Sequence, residues 1–407
     1  MLHKTIDLHE SVHCLWTALS LGLRLVLCLS HSFRARVGRL FWTLILITGV
    51  MYSISPAFAE PYLAVRTGFA CSQCHVNPSG GGKRTAFGTV WAETSLSAKT
   101  VGDVAKGDGL PVPDRTWDGN IMAPFLSIGG NVRGEANYID QPESENSSAF
   151  ALEEALLYLE FSIIPQRLSF YLDEQVGPGG AFSREFYGLF RFNQQRFYIK
   201  AGRFFLPYGL RLEDDQAFVR RVTGISYATN DDGIELGWDT PSLTAQLAIT
   251  NGESGAGETD RGKQVSSRVS YIQSGWRVGG SYNFNKRDIG NRVMVGVFAG
   301  LRTGPVFWLL EWDRIGDKAG EGTLNQEIGL LEANVLLSKG HNLKLIAEAL
   351  NPDTDEPDDF QQRYSLIWEY FPIPFTQISS GIRSLKDEKK SSSQTRDELF
   401  VQLHLYF

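Results

Sequence analysis

Apolar and polar positions alternate along most of the chain, from about Ala123 to the C-terminal Phe407. In the last segment, "ELFVQLHLYF", one face of such an alternation carries Leu399, Val401, Leu403, Leu405 and Phe407. The other face carries Gln402, His404 and Tyr406. The segment "WRVGGSYNFN" has the same period of two residues. Successive side chains of a strand point to opposite faces, so this period predicts β-strands and not helices.

The turns between these segments alternate in length. Seven are short, namely "IPQR", "NQQ", "DTPS", "QSG", "RTGP", "SKGH" and "FPIP". Eight are longer and polar, namely "DQPESENSS", "GPGG", the 206–233 stretch, "NGESGAGETDRGK", "NKRDIGN", "GDKAGEGTLNQ", "NPDTDEPDD" and "KDEKKSSSQTRD". Fifteen connections predict sixteen strands.

An even strand number, alternating turn lengths and faces rich in Trp, Tyr and Phe are typical of a bacterial outer-membrane barrel, whose short turns face the periplasm. The predicted fold class is therefore all-β: a 16-stranded antiparallel transmembrane β-barrel with a lumen of porin size. In lipid, a closed barrel gives every backbone N–H and C=O group a hydrogen-bond partner on a neighbouring strand. A soluble sandwich or propeller would explain the alternation but not the turn asymmetry. The terminal Phe407 resembles the C-terminal signal that such barrels present for insertion.

The N-terminus has the pattern of a secretory signal. Arg34, Arg36 and Arg39 precede the apolar run "LFWTLILITGVMYSI", and "SPAFA" supplies a small-residue cleavage site after Ala59. An anchoring helix is the alternative. The predicted organisation is a signal with an upstream extension (1–59), a haem-binding segment (60–95), a linker or plug (96–122) and the barrel (123–407).

Export changes the charge and the cysteine content. The chain from residue 60 would carry 34 basic and 44 acidic residues, a balance of −10. This acidic balance argues against nucleic acid as a partner and favours an exported protein with an acidic exterior. Outer-membrane lipid is expected as a partner because of the apolar faces of the predicted barrel. Cys14 and Cys28 would leave with the signal, so that only Cys71 and Cys74 remain.

These two cysteines lie in the motif "CSQCH", where His75 directly follows the second cysteine. This spacing suits covalent attachment of one haem c: the thiols add to the two vinyl groups, and His75 is placed to ligate the iron. A zinc site would need a second pair of ligands, and a redox dithiol would need a βαβ context. A disulfide across this short spacing would be strained.

The residues after the motif fit a wrapping around a flat ligand. Pro78 and the 80–82 glycine run permit a tight turn, while Lys83 and Arg84 are either partners of the haem propionates or simply exposed. Candidates for the sixth iron ligand are Met122, Met294, His341 and His404. Met122 is preferred because it ends the linker, and a five-coordinate iron stays open.

The 206–233 stretch carries Arg211, Arg220 and Arg221 beside three acidic residues. It is similar to the corresponding part of phosphate-selective-type porins. That resemblance implies a constriction loop folded into the lumen, and a solvated loop of mixed charge is the alternative.

The region "EPYLAVRTGFACSQCHVNP…AFG", followed by a barrel, resembles the fused outer-membrane monohaem cytochrome c–porins, which include iron-oxidising proteins. The resemblance rests on some thirty residues, and the longer "PSGGGKRTAFG" departs from the family pattern. It implies electron transfer between an external reductant such as Fe(II) and periplasmic carriers. No acid–base pair stands beside the motif, which favours an electron carrier or oxidoreductase over a hydrolase or transferase. A solute or anion channel with a haem-bearing plug is the alternative function.

Overall fold

The computed structural model describes residues 60–407, apart from 114–116, 142–144, 215, 228, 259, 321, 357–358 and 390–391 and the side chains of 388–389 and 392–394. The predicted signal and its cleavage site lie outside the described residues. All of the described residues belong to one compact unit.

The main feature is a closed antiparallel barrel. A short strand β1 (Asn120–Met122) pairs with the first barrel strand. The sixteen barrel strands are β2 (Leu126–Asp140), β3 (Ser147–Ile164), β4 (Leu168–Gly177), β5 (Phe182–Phe192), β6 (Phe197–Phe204), β7 (Asp231–Asp239), β8 (Leu243–Thr250), β9 (Gln264–Gln273), β10 (Trp276–Arg287), β11 (Gly290–Thr303), β12 (Val306–Ala319), β13 (Gly322–Ser338), β14 (His341–Asn351), β15 (Gln361–Tyr370), β16 (Thr376–Lys389) and β17 (Ser392–Tyr406). Each pairs with the next, and β17 pairs with β2 to close the ring. The predicted sixteen-strand barrel is confirmed.

All seven short turns fall where the sequence predicts them, but three of the long polar stretches are mostly strand. The β10–β11, β12–β13 and β16–β17 hairpins keep their pairing up to Arg287–Gly290, Ala319–Gly322 and Lys389–Ser392. The polar residues at these strand ends indicate that water contacts both faces of the strands there. They do not indicate that the strands have ended. The three connections are therefore tighter than their composition suggests.

The barrel wall is apolar outside and polar inside. Along β17 and the Phe407 that follows it, the five apolar residues are between 43% and 52% exposed, whereas His404 and Tyr406 are each 4% exposed. On β10, Trp276 and Val278 face outward and Asn283 is fully buried. The predicted alternation is therefore confirmed, and the apolar face is the one that lipid would cover. Within the described residues, no helix is both long enough and apolar enough to cross a bilayer.

Between residue 60 and the barrel, the described chain forms four short helices: α1 (Pro61–Thr67), α2 (Cys71–Cys74), α3 (Ala86–Ser95) and α4 (Val101–Gly107). Gly68, with φ of 72°, ends α1, and the Thr85 side chain caps α3 by accepting from the Gly88 N–H. A fifth helix, α5 (Phe218–Arg221), lies in the β6–β7 loop.

Residues 60–98 lie inside the barrel and are called the plug below. Their partners come from strands all around the wall: Tyr62 donates to Glu369 on β15, Asn77 to Glu185 on β5, and Ser79 accepts from Gln246 on β8. The Ala98 N–H donates to the Phe371 carbonyl in a short turn, at 2.8 Å. The plug therefore occupies the end of the lumen that carries the short turns, which is the periplasmic end in barrels of this kind.

Candidate cofactor site in the barrel lumen

The "CSQCH" motif forms one turn of helix followed by a narrow loop. α2 holds both cysteines, and His75 follows it in extended conformation. His75 and Arg84 pair as an isolated antiparallel bridge. The pairing continues with the Val76 N–H to the Lys83 carbonyl (3.0 Å) and the Thr85 N–H to the Cys74 carbonyl (2.9 Å). The chain thus returns directly past the motif, and residues 71–88 form one compact loop.

Both cysteines are free thiols and partly buried. Burial, with a smaller contribution from neighbouring Cys71, raises the pKa of the Cys74 thiol to about 11. The thiol is therefore protonated at neutral pH, and it is available for a covalent bond because it is not held in a disulfide.

The glycine run lets the loop pack closely against its neighbours: a Cβ at Gly80 would lie 3.3 Å from the Cys71 sulfur. Gly81 and Gly82 have φ of 77° and 61°, a region that favours glycine. A Cβ at Gly81 would collide with the hydroxyl of Tyr227, and one at Gly82 with the hydroxyl of Tyr171. The loop therefore lies directly against the β6–β7 loop on one side and β4 on the other.

The imidazole of His75 is held neutral. Burial first, and the positive charge of Arg84 second, lower the pKa of His75 to about 3, although hydrogen bonding to the backbone of Gly82 and Gly81 acts in the opposite direction. Its Nδ1 is buried without a hydrogen-bond partner among the described residues. A neutral imidazole keeps a lone pair that can bind a metal.

A lumenal cavity of about 860 Å³ borders the motif. Cys71, Cys74 and His75 line it from the plug, and His404 and Tyr406 line it from β17. Its volume lies within the range of about 300–1,000 Å³ that cofactor and ligand sites occupy. With free thiols, a buried imidazole with an unpartnered nitrogen and a glycine loop without side chains, the described residues fit a covalently attached haem.

The structure separates the two cations that follow the motif. Arg84 lines the cavity, and its guanidinium carbon lies 4.3 Å from the centre of the Tyr406 ring. Lys83 is only 3% exposed and does not line the cavity. Its N–H donates to the Tyr171 hydroxyl and its Nζ to the Arg84 carbonyl, at 3.0 and 2.9 Å. Lys83 is thus part of the plug's attachment to the wall.

The four candidates for a sixth ligand also lie in different places. Met122 is 54% exposed on β1, and Met294 is buried in the wall; neither lines the cavity. His341 stacks on Tyr370 with ring centres 4.4 Å apart, and it is likewise absent from the cavity lining. His404 alone of the four borders the cavity.

Two arginines that the sequence reasoning did not single out lie beside the motif. Arg268 on β9 donates to the Gly209 carbonyl, and Arg277 on β10 donates to the Phe69 carbonyl, both at 2.8 Å. Both line the cavity near Cys71. The signal that could have found them is their position on the polar, inward face of their strands.

The β6–β7 loop (205–230) folds into the lumen from the end opposite the short turns. Tyr208 donates to Asp313 on β12 at 3.0 Å, the Leu210 N–H to Glu311 on β12 at 2.8 Å, and the Phe218 N–H to Glu348 on β14 at 2.6 Å. The structure therefore agrees with a loop folded into the lumen and not with a solvated loop. Its arginines do not act as one cluster, because Arg220 is buried in an ion pair with Glu311, whereas Arg211 lines the cavity.

A closed sixteen-strand barrel with an apolar exterior, a polar interior and an in-folded loop is a porin-type barrel of the outer membrane. The anion-selective porin from Comamonas acidovorans superimposes with a TM-score of 0.57 at 12% identity, over 69% of this chain and 99% of that one. The DcaP channel of Acinetobacter baumannii gives 0.54 at 11% identity, over 71% and 99%. OprB of Pseudomonas putida gives 0.54 at 9% identity, over 70% and 94%.

At these identities the likeness concerns the fold. No protein-family model and none of the curated proteins matches the sequence.

Proposed function

We propose that this chain carries one covalently attached haem c in its lumenal plug and passes electrons across the outer membrane. The observation that carries the proposal is the position of Cys71, Cys74 and His75 on a single cavity of cofactor size inside a porin-type barrel. The described part of the chain offers no second cysteine pair that would favour a zinc site instead.

Each residue of the loop has a distinct part in this proposal. Cys71 and Cys74 would form the thioethers, and His75 would bind the iron from one side. Arg84 is the cation of the loop that lines the cavity, and it is the better partner for a propionate than Lys83. A haem bound there would supply one-electron redox chemistry, and the surrounding wall would limit the access of water to it.

The location of the plug supports transfer across the membrane. The apolar band of such a barrel is about 25 Å tall, and electron transfer weakens steeply with distance. A site inside the lumen is nearer to the outer surface than a periplasmic domain would be, and it stays close to the periplasmic end. On the outer side the β6–β7 loop contacts the plug, because Tyr227 packs against Gly81. An external reductant such as Fe(II) would therefore deliver its electron through this loop, and periplasmic carriers would receive it at the short-turn end.

The test has two stages. A pyridine haemochrome assay on the purified barrel should find one haem that resists extraction by acidified solvent, and its absence would overturn the proposal. Proteoliposomes should then pass electrons from a membrane-impermeant reductant to an impermeant acceptor on the other side. A barrel with Cys71→Ala and Cys74→Ala is the matched control and should pass none. Equal transfer by both barrels would count against the haem route.

A solute or anion channel is the second candidate. The structural neighbours favour it, since they include an anion-selective porin and a channel of the same fold. Arg84 and Arg211 line the lumenal cavity without an ion pair among the described residues, which would suit an anion. Planar-bilayer recordings should then show anion-selective conductance that survives replacement of Cys71 and Cys74. A barrel that holds haem and does not conduct would rule this candidate out.

A further inference from the structure

We infer that His404 is the second axial ligand of the haem, so that the iron is held between an imidazole of the plug and an imidazole of the barrel wall. The inference rests on the proposed function, because it concerns the same cavity. It goes further by assigning the coordination of the iron and by naming the strand to which the iron ties the plug.

His404 occupies the inward face of the last strand. It lies on β17 directly opposite Arg133 of β2, at the seam where the barrel closes. Its side chain is 4% exposed and borders the same cavity as Cys71, Cys74 and His75. Its Nε2 is buried and has no hydrogen-bond partner among the described residues. A buried polar nitrogen without a partner is costly, and native structures seldom keep one without a reason.

A chain of hydrogen bonds determines which nitrogen of His404 carries the proton. The amide nitrogen of Gln377 donates to Oε1 of Glu369 at 2.9 Å. The amide oxygen of Gln377 must therefore face the other way, toward Nδ1 of His404, which lies 2.9 Å from it. Because a carbonyl oxygen can only accept, Nδ1 is the protonated nitrogen. Nε2 is left with its lone pair free.

Glu369 is itself firmly held. Nδ2 of Asn342 donates to its Oε2 at 2.8 Å, and the Lys344 ammonium lies 3.0 Å from its Oε1. The row Glu369–Gln377–His404 thus has a fixed direction from the carboxylate to the imidazole. Metal-binding histidines are typically oriented in this way, with the distal N–H donated to a carbonyl or carboxylate that fixes the tautomer.

The strand that carries His404 also touches the haem-binding loop. Arg84, which pairs with His75 through the backbone, places its guanidinium over the Tyr406 ring. Tyr406 lies two positions after His404 on the same inward face, and the two rings have centres 5.0 Å apart. The two imidazoles are therefore linked through one pair of contacting residues, Arg84 and Tyr406.

The remaining ligand types in the cavity are weaker candidates. No methionine of the described residues lines it, and the only imidazoles that do are His75 and His404. The Lys344 ammonium is engaged by Glu60 and Glu369, so its nitrogen has no free lone pair. Tyr158, Tyr227 and Tyr406 also line the cavity, and tyrosine can bind haem iron. However, a phenol with an ordinary pKa of about 10 is protonated at neutral pH, whereas the Nε2 lone pair of His404 is free.

The experiment compares the purified wild-type barrel with His404→Ala and His404→Met, by visible absorption and electron paramagnetic resonance spectroscopy of the ferric form. Wild type should give a low-spin spectrum of two imidazole ligands. His404→Ala should become high-spin and return to low-spin when free imidazole is added. His404→Met should remain low-spin and have a higher reduction potential, because a thioether ligand raises it. His341→Ala is the matched control, a histidine outside the cavity, and should leave the spectrum unchanged.

Each other outcome has a defined meaning. A wild-type spectrum that is already high-spin, or a His404→Ala barrel that keeps the wild-type low-spin spectrum, overturns the inference while leaving covalent haem intact. Absence of haem from the wild-type barrel overturns the proposed function as well. Heat-modifiable mobility on a gel shows whether each variant has folded as a barrel, so loss of signal through misfolding is recognised.

Gln377 provides an independent test as a positioning residue. Gln377→Leu removes the acceptor of the Nδ1 proton and leaves His404 in place. The iron should stay low-spin, and its reduction potential should rise because the ligand becomes less basic. If Gln377 were only structural, its replacement would alter the stability of the barrel and leave the reduction potential unchanged. An unchanged potential would therefore contradict the role of Gln377 in orienting His404.

Discussion

Asn77 of the plug donates its side-chain amide to both carboxylate oxygens of Glu185, at 2.9 Å each. Asn77 is fully buried and Glu185 is 1% exposed. Oδ1 of the same amide lies 3.3 Å from Nζ of Lys200, which is itself in an ion pair with Glu235. One amide two residues after the motif histidine therefore joins the plug to β5 and β6.

Asn77→Leu should loosen the plug without opening the barrel. It leaves a buried carboxylate short of a donor, which costs about 1–3 kcal/mol or more for a charged group. Limited proteolysis of the folded barrel should then cleave the 60–98 segment faster. Asn146→Leu is the control, because it removes an exposed amide that donates to the Tyr138 hydroxyl, and it should leave the cleavage rate unchanged. Equal rates in both variants would contradict the anchoring role.

Gly81→Ala should destabilise the plug more than its backbone conformation alone requires. Gly81 and Gly179 have similar φ, 77° and 82°, so alanine meets the same backbone strain at both, about 1–2 kcal/mol. Only at Gly81 does the added carbon collide, with Tyr227, since Gly179 faces open space. Thermal unfolding should show a larger loss for Gly81→Ala than for Gly179→Ala. Tyr227→Ala combined with Gly81→Ala should recover part of the difference, and a lack of recovery would show that the collision is not the cause.

Asp214 should keep the β6–β7 loop closed over the lumen until the pH becomes strongly acidic. Burial alone would raise the pKa of Asp214, but the positive charges of Arg363 and Arg383 and the hydrogen bond to Arg363 outweigh it, so the pKa is lowered. A carboxylate with a lowered pKa stabilises the folded state above its unfolded pKa, and this contribution is lost as the pH falls through the folded value, below 3.8. Fluctuations of the loop, recorded as current noise in a planar bilayer, should rise in that window.

Asp214→Asn should show the same noise already at neutral pH. Glu258→Gln is its control, because the Glu258–Lys263 pair is largely exposed and such pairs contribute little. If Asp214→Asn showed no more current noise than wild type at neutral pH, Asp214 would not be holding the loop closed.

Deleting Phe407 should slow closure of the barrel. Its N–H donates to the Gly130 carbonyl and its carbonyl accepts from the Gly130 N–H, at 3.0 and 3.2 Å, which extends the β17–β2 pairing by one residue. The appearance of the heat-modifiable form during refolding should be slower than for wild type. Leu405→Ala, which trims a neighbouring outward side chain and keeps the strand length, should have the smaller effect. If Leu405→Ala slowed refolding more than the deletion of Phe407, the effect would come from lost apolar area and not from the pairing of β17 with β2.

The wall could be predicted from the sequence because lipid requires apolar side chains on the outward face of every strand. The alternation that ends at Phe407 needs no knowledge of neighbouring strands. Turn lengths were less predictable. The polar residues around Arg287 and Gly290 are still paired, because a polar residue indicates contact with water and a strand can continue into water.

The surroundings of the motif could not be predicted, because they depend on contacts between distant parts of the chain. Lys83 and Arg84 are adjacent in the sequence, and only the docked plug shows that Arg84 borders the cavity whereas Lys83 bonds to Tyr171 of the wall. His404 could be assigned to the lumenal face, but its hydrogen bond to Gln377 needs the register of β16 and β17. Met122 seemed suitable by its place in the chain and lies outside the cavity.

The enclosed plug fixes an order of events during the biogenesis of this protein. Its contacts run from β4 to β15 around the ring, and the closing pair of strands, β17 and β2, lies beside Arg84. Once that seam has formed, no large enzyme can reach the thiols of Cys71 and Cys74. If the plug carries the proposed haem, its covalent attachment would therefore have to be completed before the seam closes, and the last strand would then lock the finished site in place.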